Sequence, residues 1–214
     1  SKTYLAIKKN APRLKIISAE RIQEELLRLL GTMKPSIGLW ILYKTELFDQ
    51  FLPEVTDLAG VEELNGYSHK DNLSHTFAVV DTIAEHSPKR LLRLAGLLHD
   101  IAKPNVKQFV KGRGWTFDMH EHVGKKMAIE ICRRLRMSQD DVKYIAHLVR
   151  WHLQPIALMD EGVTDNAVRR LIVSVGDPLK DLLILCRADI TTGNQKRKEQ
   201  RLKNYDYLDR RIDE

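Results

Sequence analysis

The sequence predicts an all-α fold carrying one small β-hairpin insertion. Apolar residues recur at helical spacing through most of the chain, and capping-type residues mark where helices begin. One stretch departs from that period. Val106, Gln108 and Val110, then Trp115 and Phe117, alternate about Lys111-Gly112-Arg113-Gly114, the pattern of two short strands and a turn. The 214 residues suffice for one large domain or two small ones. Apolar residues at 43% and charged residues at 30% exclude a disordered chain and a collagen-like fibre. The longest uncharged run is nine residues, far short of the roughly 18–20 that a bilayer helix needs, so no membrane partner is expected.

Taken in order, Ser18 stands before Arg21-Ile22-Gln23-Glu24-Glu25-Leu26-Leu27-Arg28-Leu29-Leu30, a helix that Gly31 stops. A second helix is expected from about Ser36 to Thr45, then a loop around Pro53. His75 opens a helix whose apolar face includes Phe77, Val79, Val80 and Ile83. Ser87-Pro88 and Asp177-Pro178 each place a capping side chain before a proline suited to a first helical turn. The apolar run Leu91 to Leu98 ends in His99-Asp100. Ser138-Gln139-Asp140-Asp141 has the form of a capping box with Asp in place of Glu. Leu182 to Ala188 forms another apolar segment, closed by Asp189.

Residues 1–64 hold nine basic and nine acidic side chains, so the surplus of six positive charges falls after residue 64. Lys196, Arg197, Lys198, Arg201, Lys203, Arg210 and Arg211 share a helix-like tail with five acids, which reads as a solvated face. So small a surplus permits nucleic-acid binding without arguing for it. The N-terminal residues lack an apolar signal-peptide core, and a cytoplasmic location is expected.

Eight histidines stand beside only two cysteines, so a metal here would be held by imidazole and carboxylate. The candidate ligands are His75, His99, Asp100, His122, Asp189 and His152. An acid at the C-terminal end of a buried helix opposes the dipole and resists desolvation, so Asp100 and Asp189 call for a cation. A metal would supply one, and so would Arg187 or a Lys. A lone His on an apolar helix is more often a hydrogen-bonded core residue, and His69 and His86 read as surface residues beside turns. His147 and His152 are five apart, and His120 and His122 two apart, so on a helix at most one of each pair faces a common site. Cys132 and Cys186 read as small buried hydrophobes.

His75, the pair His99-Asp100 and the late Asp189 together resemble the signature of the HD superfamily of metal-dependent phosphohydrolases. Leu97-Leu98-His99-Asp100-Ile101-Ala102-Lys103 is similar to its central motif, lysine included. Ile17 to Leu26, Lys34-Pro35-Ser36-Ile37-Gly38, Phe51-Leu52-Pro53-Glu54, Gly66 to His75 and Gly114-Trp115-Thr116-Phe117 resemble the neck, body and HD part of bacterial tRNA nucleotidyltransferases. That likeness runs from about residue 10 to about residue 210. The sequence has no Asp-x-Asp pair and no paired-glycine turn of the kind that marks that family's nucleotidyltransferase head. It resembles the C-terminal portion of such an enzyme, and nucleotide addition is not expected of it.

The resemblance implies a helical neck and body over 1–64, an HD domain over 65–194 and a charged C-terminal helix over 195–214. It implies hydrolysis of phosphoesters by metal-activated water, as a phosphatase, 2′-nucleotidase or 2′,3′-cyclic phosphodiesterase, with tRNA or RNA 3′ ends or nucleotides as partners. His75, His99, Asp100 and Asp189 would hold one ion. If His122 and His152 join, Asp100 could bridge a second. Mixed nitrogen and oxygen ligation suits Mn, Fe, Co, Ni or Zn, with Mg less natural. Asp100 and Lys103 are the expected catalytic residues. Lys103, one turn beyond Asp100, could hold a substrate phosphate, its alternative being a C-terminal helix cation. Arg13, Lys15 and Arg21 in the neck, with Lys107, Lys111 and Arg113 on the hairpin, could touch an RNA backbone, against the alternative of plain surface solvation. Two other readings stay open: a non-catalytic tRNA-binding module, and a free-standing HD nucleotidase.

Overall fold

The structure, a computed structural model, describes residues 2–158, 163–191 and 194–213. It is all-α apart from two small antiparallel hairpins. The chain opens with α1 (Lys2–Asn10), a 3-10 turn (Ala11–Ile16), α2 (Ala19–Leu30) and α3 (Pro35–Lys44), then the one-turn helices α4 (Phe48–Phe51) and α5 (Pro53–Thr56). Ser18 caps α2 by accepting from the Arg21 N–H. Pro53, read from the sequence as part of a loop, instead starts α5, where its missing N–H costs nothing.

Strands β1 (Glu63–Leu64) and β2 (Tyr67–Ser68) close around Asn65-Gly66, both at positive φ. This hairpin was not anticipated, although Asn-Gly is the dipeptide that such two-residue turns favour. Next come α6 (Asn72–His86), α7 (Arg90–Leu98) and α8 (Lys103–Val106). The expected hairpin follows as β3 (Gln108–Val110) and β4 (Gly114–Thr116), with Phe109 opposite Trp115. It is shorter than the alternation suggested, because Val106 ends α8 and Phe117 lies past β4.

The remaining helices are α9 (His120–Arg134), α10 (Gln139–Trp151), α11 (Asp165–Val175), α12 (Leu179–Ala188) and α13 (Gln195–Asp213). Ser138 caps α10 as its sequence suggests. The two Ser/Asp-Pro signals behave differently. Ser87 closes α6 and α7 starts only at Arg90, while Pro178 sits just before α12 with no side-chain cap from Asp177.

One continuous apolar core runs from Leu26 to Leu208. Helices α6, α7, α9, α10 and α12 pack around it, and α2 and α3 lie on α7 and α6. Gly96 allows the closest approach: a β-carbon there would lie 2.4 Å from Ile83 Cδ1, so any side chain at position 96 would force Ile83 to shift where α7 meets α6. The charged α13 buries only Tyr205 and Leu208. Arg187 holds it through Asp206 at 2.7 Å and through Asp209, and Arg211 reaches back to Asp165 at 2.5 Å. Among the described residues no helix is long and apolar enough to cross a membrane.

Candidate metal centre

Two ligand groups meet on one carboxylate. Oδ2 of Asp100 lies 3.4 Å from His75 Nε2 and 3.2 Å from His99 Nε2, and Asp189 Oδ1 adds contacts of 2.9 Å to His75 and 3.6 Å to His99. Oδ1 of the same Asp100 lies 3.2 Å from His120 Nε2 and 3.9 Å from His152 Nε2, and these two nitrogens are 3.2 Å apart. His75, His99, Asp100 and Asp189 thus form one possible metal-binding group, and Asp100, His120 and His152 a second.

Helix ends place most of these side chains. His99 and Asp100 follow directly on α7, Asp189 caps the C-terminus of α12, and His152 that of α10. His120 opens α9, and His75 lies in the first turn of α6. Three rings are fixed from behind in the same way. Nδ1 of His99, His120 and His152 each lies 2.7 Å from the carbonyl oxygen three residues earlier, on Gly96, Phe117 and Val149. A carbonyl can only accept, so each Nδ1 carries a hydrogen and each Nε2 of the neutral ring presents a lone pair inward.

This donor set fits divalent cations. Among the described residues His99 Nε2 is wholly buried and finds no hydrogen-bond partner. His120 and His152, as neutral rings, would oppose two lone pairs, and a shared proton or an ion relieves that. Donors about 2.1 Å from an ion, in tetrahedral or octahedral arrangement, sit about 3.0–3.4 Å from one another. The observed spacings of 2.9–3.9 Å straddle that range.

The electrostatics agree. Burial disfavours the charge on Asp100, yet His99 and Lys103, whose Nζ lies 2.6 Å from Oδ2, hold its carboxyl well below the ordinary range. Asp189 is likewise driven down against its burial by the adjacent His75 and His99 imidazoles. Burial also opposes a charge on His99, but Asp100 and Asp189 outweigh it and raise the imidazole to about 10. Burial first, and the charge on His99 second, push His152 down to about 4.

Of the residues expected from sequence, His75, His99, Asp100, His152 and Asp189 come together and His122 does not. Its side chain is 44% exposed and points its Nε2 at Glu121, 3.5 Å away. The physical reason is helical phase. Residues two apart are about 200° around a helix, and α9 buries His120 with Gly124, Ala128, Ile131 and Cys132. That stripe was readable in the sequence and selects His120. His69 and His86 lie outside the cluster as expected, and His147 bonds the Val175 carbonyl instead.

Lys103 is the ion-pair partner of Asp100 and lies over the Phe117 ring, 5.6 Å from its centroid. The expected RNA contacts split between two places. Arg13 and Lys15 are exposed on the 3-10 turn, and Arg21 edges a groove of about 700 Å³ between that turn, α2 and α3. On the hairpin side Lys111 is exposed at the tip, and Arg113 is 3.8 Å from Asp118. Lys107 is less available, because it pairs with Glu62 at 2.9 Å and covers the Trp115 ring.

An all-α protein with a shared-carboxylate His/Asp cluster is the class that fold and site define. Residues 72–194 match the HD domain, and the chain belongs to that family. Residues 1–58 match the probable RNA- and SrmB-binding site of polymerase A. The chain is similar to the CC-adding tRNA nucleotidyltransferase of Thermus thermophilus, 34% identical over 173 residues, which are 79% of this chain and 38% of that protein. It is 32% identical over 183 residues to the A-adding tRNA nucleotidyltransferase of Deinococcus radiodurans, 84% of this chain and 41% of the relative. A bifunctional uridylyltransferase/uridylyl-removing enzyme of Acinetobacter baylyi is 28% identical over 174 residues, 78% of this chain and 18% of that protein. The chain spans about two-fifths of the length of the two tRNA nucleotidyltransferases.

Proposed function

We propose that this chain hydrolyses phosphoesters of nucleotides or RNA ends in a metal-dependent reaction, as a phosphatase, 2′-nucleotidase or 2′,3′-cyclic phosphodiesterase. One observation carries the reading: a single carboxylate, Asp100, faces two histidine groups through its two oxygens. His75, His99, Asp100 and Asp189 would hold one ion, and Asp100, His120 and His152 a second. Nitrogen-rich ligation suits Mn, Fe, Co, Ni or Zn better than Mg. When bound, such ions offset charge on phosphoryl oxygens and make water a nucleophile at neutral pH.

The chain's own residues prepare for that chemistry. The backbone carbonyls behind His99, His120 and His152 keep all three Nε2 atoms aimed inward before substrate arrives. Lys103 partly neutralises Asp100 and, one-fifth exposed, offers a donor-only cation to an incoming phosphate. The name of the Acinetobacter relative, a uridylyl-removing enzyme, is in keeping with hydrolysis, and the names of the other two bring tRNA forward as partner.

The test is release of phosphate or of a 2′- or 3′-monophosphate from adenosine 2′-monophosphate and a 2′,3′-cyclic nucleotide, with Mn²⁺, Ni²⁺, Co²⁺ or Zn²⁺ added to chelator-treated protein. Replacing both His99 and Asp100 by Ala is expected to lower the rate by about a hundredfold or more. Activity undiminished in that variant overturns the proposal. A second reading, an RNA-gripping module with no hydrolytic role, draws on the match of residues 1–58 to an RNA-binding region and on the exposed Arg13 and Lys15. It predicts tRNA binding with no turnover of either substrate.

A further inference from the structure

We infer that Thr191 is a positioning residue for the first ligand group, its hydroxyl lying 2.6 Å from His75 Nδ1 and its backbone fastened to Asp189. The inference rests on the metal reading above. Three of the four rings in the cluster take their tautomer from a carbonyl three residues upstream. His75 is the exception. It sits in the first turn of α6, and its Nδ1 reaches across 116 positions to the Thr191 hydroxyl.

A hydroxyl both donates and accepts, so it can serve either tautomer of the ring. Two neighbours decide how it is used. The Lys70 ammonium, which can only donate, lies 3.4 Å from the same Oγ1 and leaves that oxygen a lone pair for a second donor. On the other side of the ring, Nε2 stands among Asp100 and Asp189 oxygens, so an ion there takes the Nε2 lone pair and the ring hydrogen must sit on Nδ1. Nδ1–H then donates to Oγ1. The Thr191 N–H meanwhile bonds the Asp189 carbonyl at 2.9 Å, closing the turn that carries the carboxylate ligand. One residue therefore orients two ligands, one through its side chain and one through its backbone.

The experiment uses the 214-residue chain, stripped with chelator and titrated with Zn²⁺ by calorimetry, as wild type, Thr191→Val and Thr191→Ser. Valine keeps the shape and removes the hydroxyl, and is expected to weaken Zn²⁺ binding roughly 10–100-fold. Serine, which retains the oxygen, should restore it to within about threefold of wild type. Imidazole ¹⁵N spectra of the Zn²⁺-loaded wild type, which need no variant to fold, should show the His75 hydrogen on Nδ1. Unchanged affinity in Thr191→Val, a serine variant as weak as valine, or a His75 hydrogen on Nε2 overturns the assignment. Failure of the wild type to bind Zn²⁺, or binding indifferent to His99→Ala, overturns the metal reading and this inference with it.

Discussion

Replacing Arg93 is the sharpest test of how the two halves of the fold are joined. Arg93 is 5% exposed and, among the described residues, its guanidinium meets no carboxylate. Its counter-charge is instead the C-terminal ends of two helices. Nη1 donates to Leu30 O at 2.6 Å and Thr32 O at 2.8 Å, where α2 ends. Nε and Nη2 donate to Ser87 O at 3.1 and 2.8 Å, and Nη2 to Ala84 O at 3.3 Å, where α6 ends. Converging carbonyl dipoles favour a cation, and the fork of donors matches them as no other side chain does. Burial pulls the Arg93 pKa down, helped by Arg90 nearby.

Arg93→Met keeps much of the volume and strands several inward-facing carbonyls. At about 1–3 kcal/mol for each buried acceptor left unpaired, with partial relief from water and relaxation, the loss should be about 3–5 kcal/mol. For a chain of this size that lowers Tm by roughly 6–20 °C. Urea titration followed by circular dichroism, in chelator so that bound ions do not contribute, measures it. A midpoint shift worth under about 1 kcal/mol at unchanged slope would refute the idea that Arg93 clamps α2 to α6. Arg93→Lys, with charge but no fork, should fall between the two.

Two further outcomes test the centre. Metal binding should release about one proton near pH 7, because His99, raised to about 10, carries one there while His152, pushed down to about 4, does not. The sign follows: affinity rises with pH until His99 loses its proton. Calorimetry in buffers of differing ionisation enthalpy reads this directly, and proton uptake would contradict it. His120→Ala should remove one of two bound ions, whereas His122→Ala should leave stoichiometry and affinity within about twofold. Metal analysis of the two variants separates them.

The helices and most of the candidate cluster are legible because their causes are local. Ser18 and Ser138 announce caps, and an acid ending an apolar run, as Asp100 and Asp189 do, calls for a positive partner, which Lys103 supplies in part to Asp100. What was missed depended either on phase or on distance. His120 and His122 cannot be told apart as a pair, and only their phase against the stripe Gly124, Ala128, Ile131 and Cys132 separates the buried ring from the exposed one. The Asn65-Gly66 turn carries its own signal, but its flanking strands are two residues each, too short to show an alternating pattern. Arg93 and Thr191 were out of reach altogether. Arg93 has near acceptors on Ser87 and Ala84, but the Leu30 and Thr32 carbonyls that complete its clamp lie 63 and 61 residues away, and His75 lies 116 from Thr191; nothing local marks an arginine as a helix cap or a threonine as the support of an imidazole.

The uneven burial of the candidate ligands gives each group its own opening. Asp189 is 22% exposed and His120 9%, whereas His99, His152 and Asp100 are 0%, 1% and 2% exposed. An ion in the first group would meet solvent beside Asp189, and one in the second beside His120. Asp100, buried between the two groups, is the wall that they share.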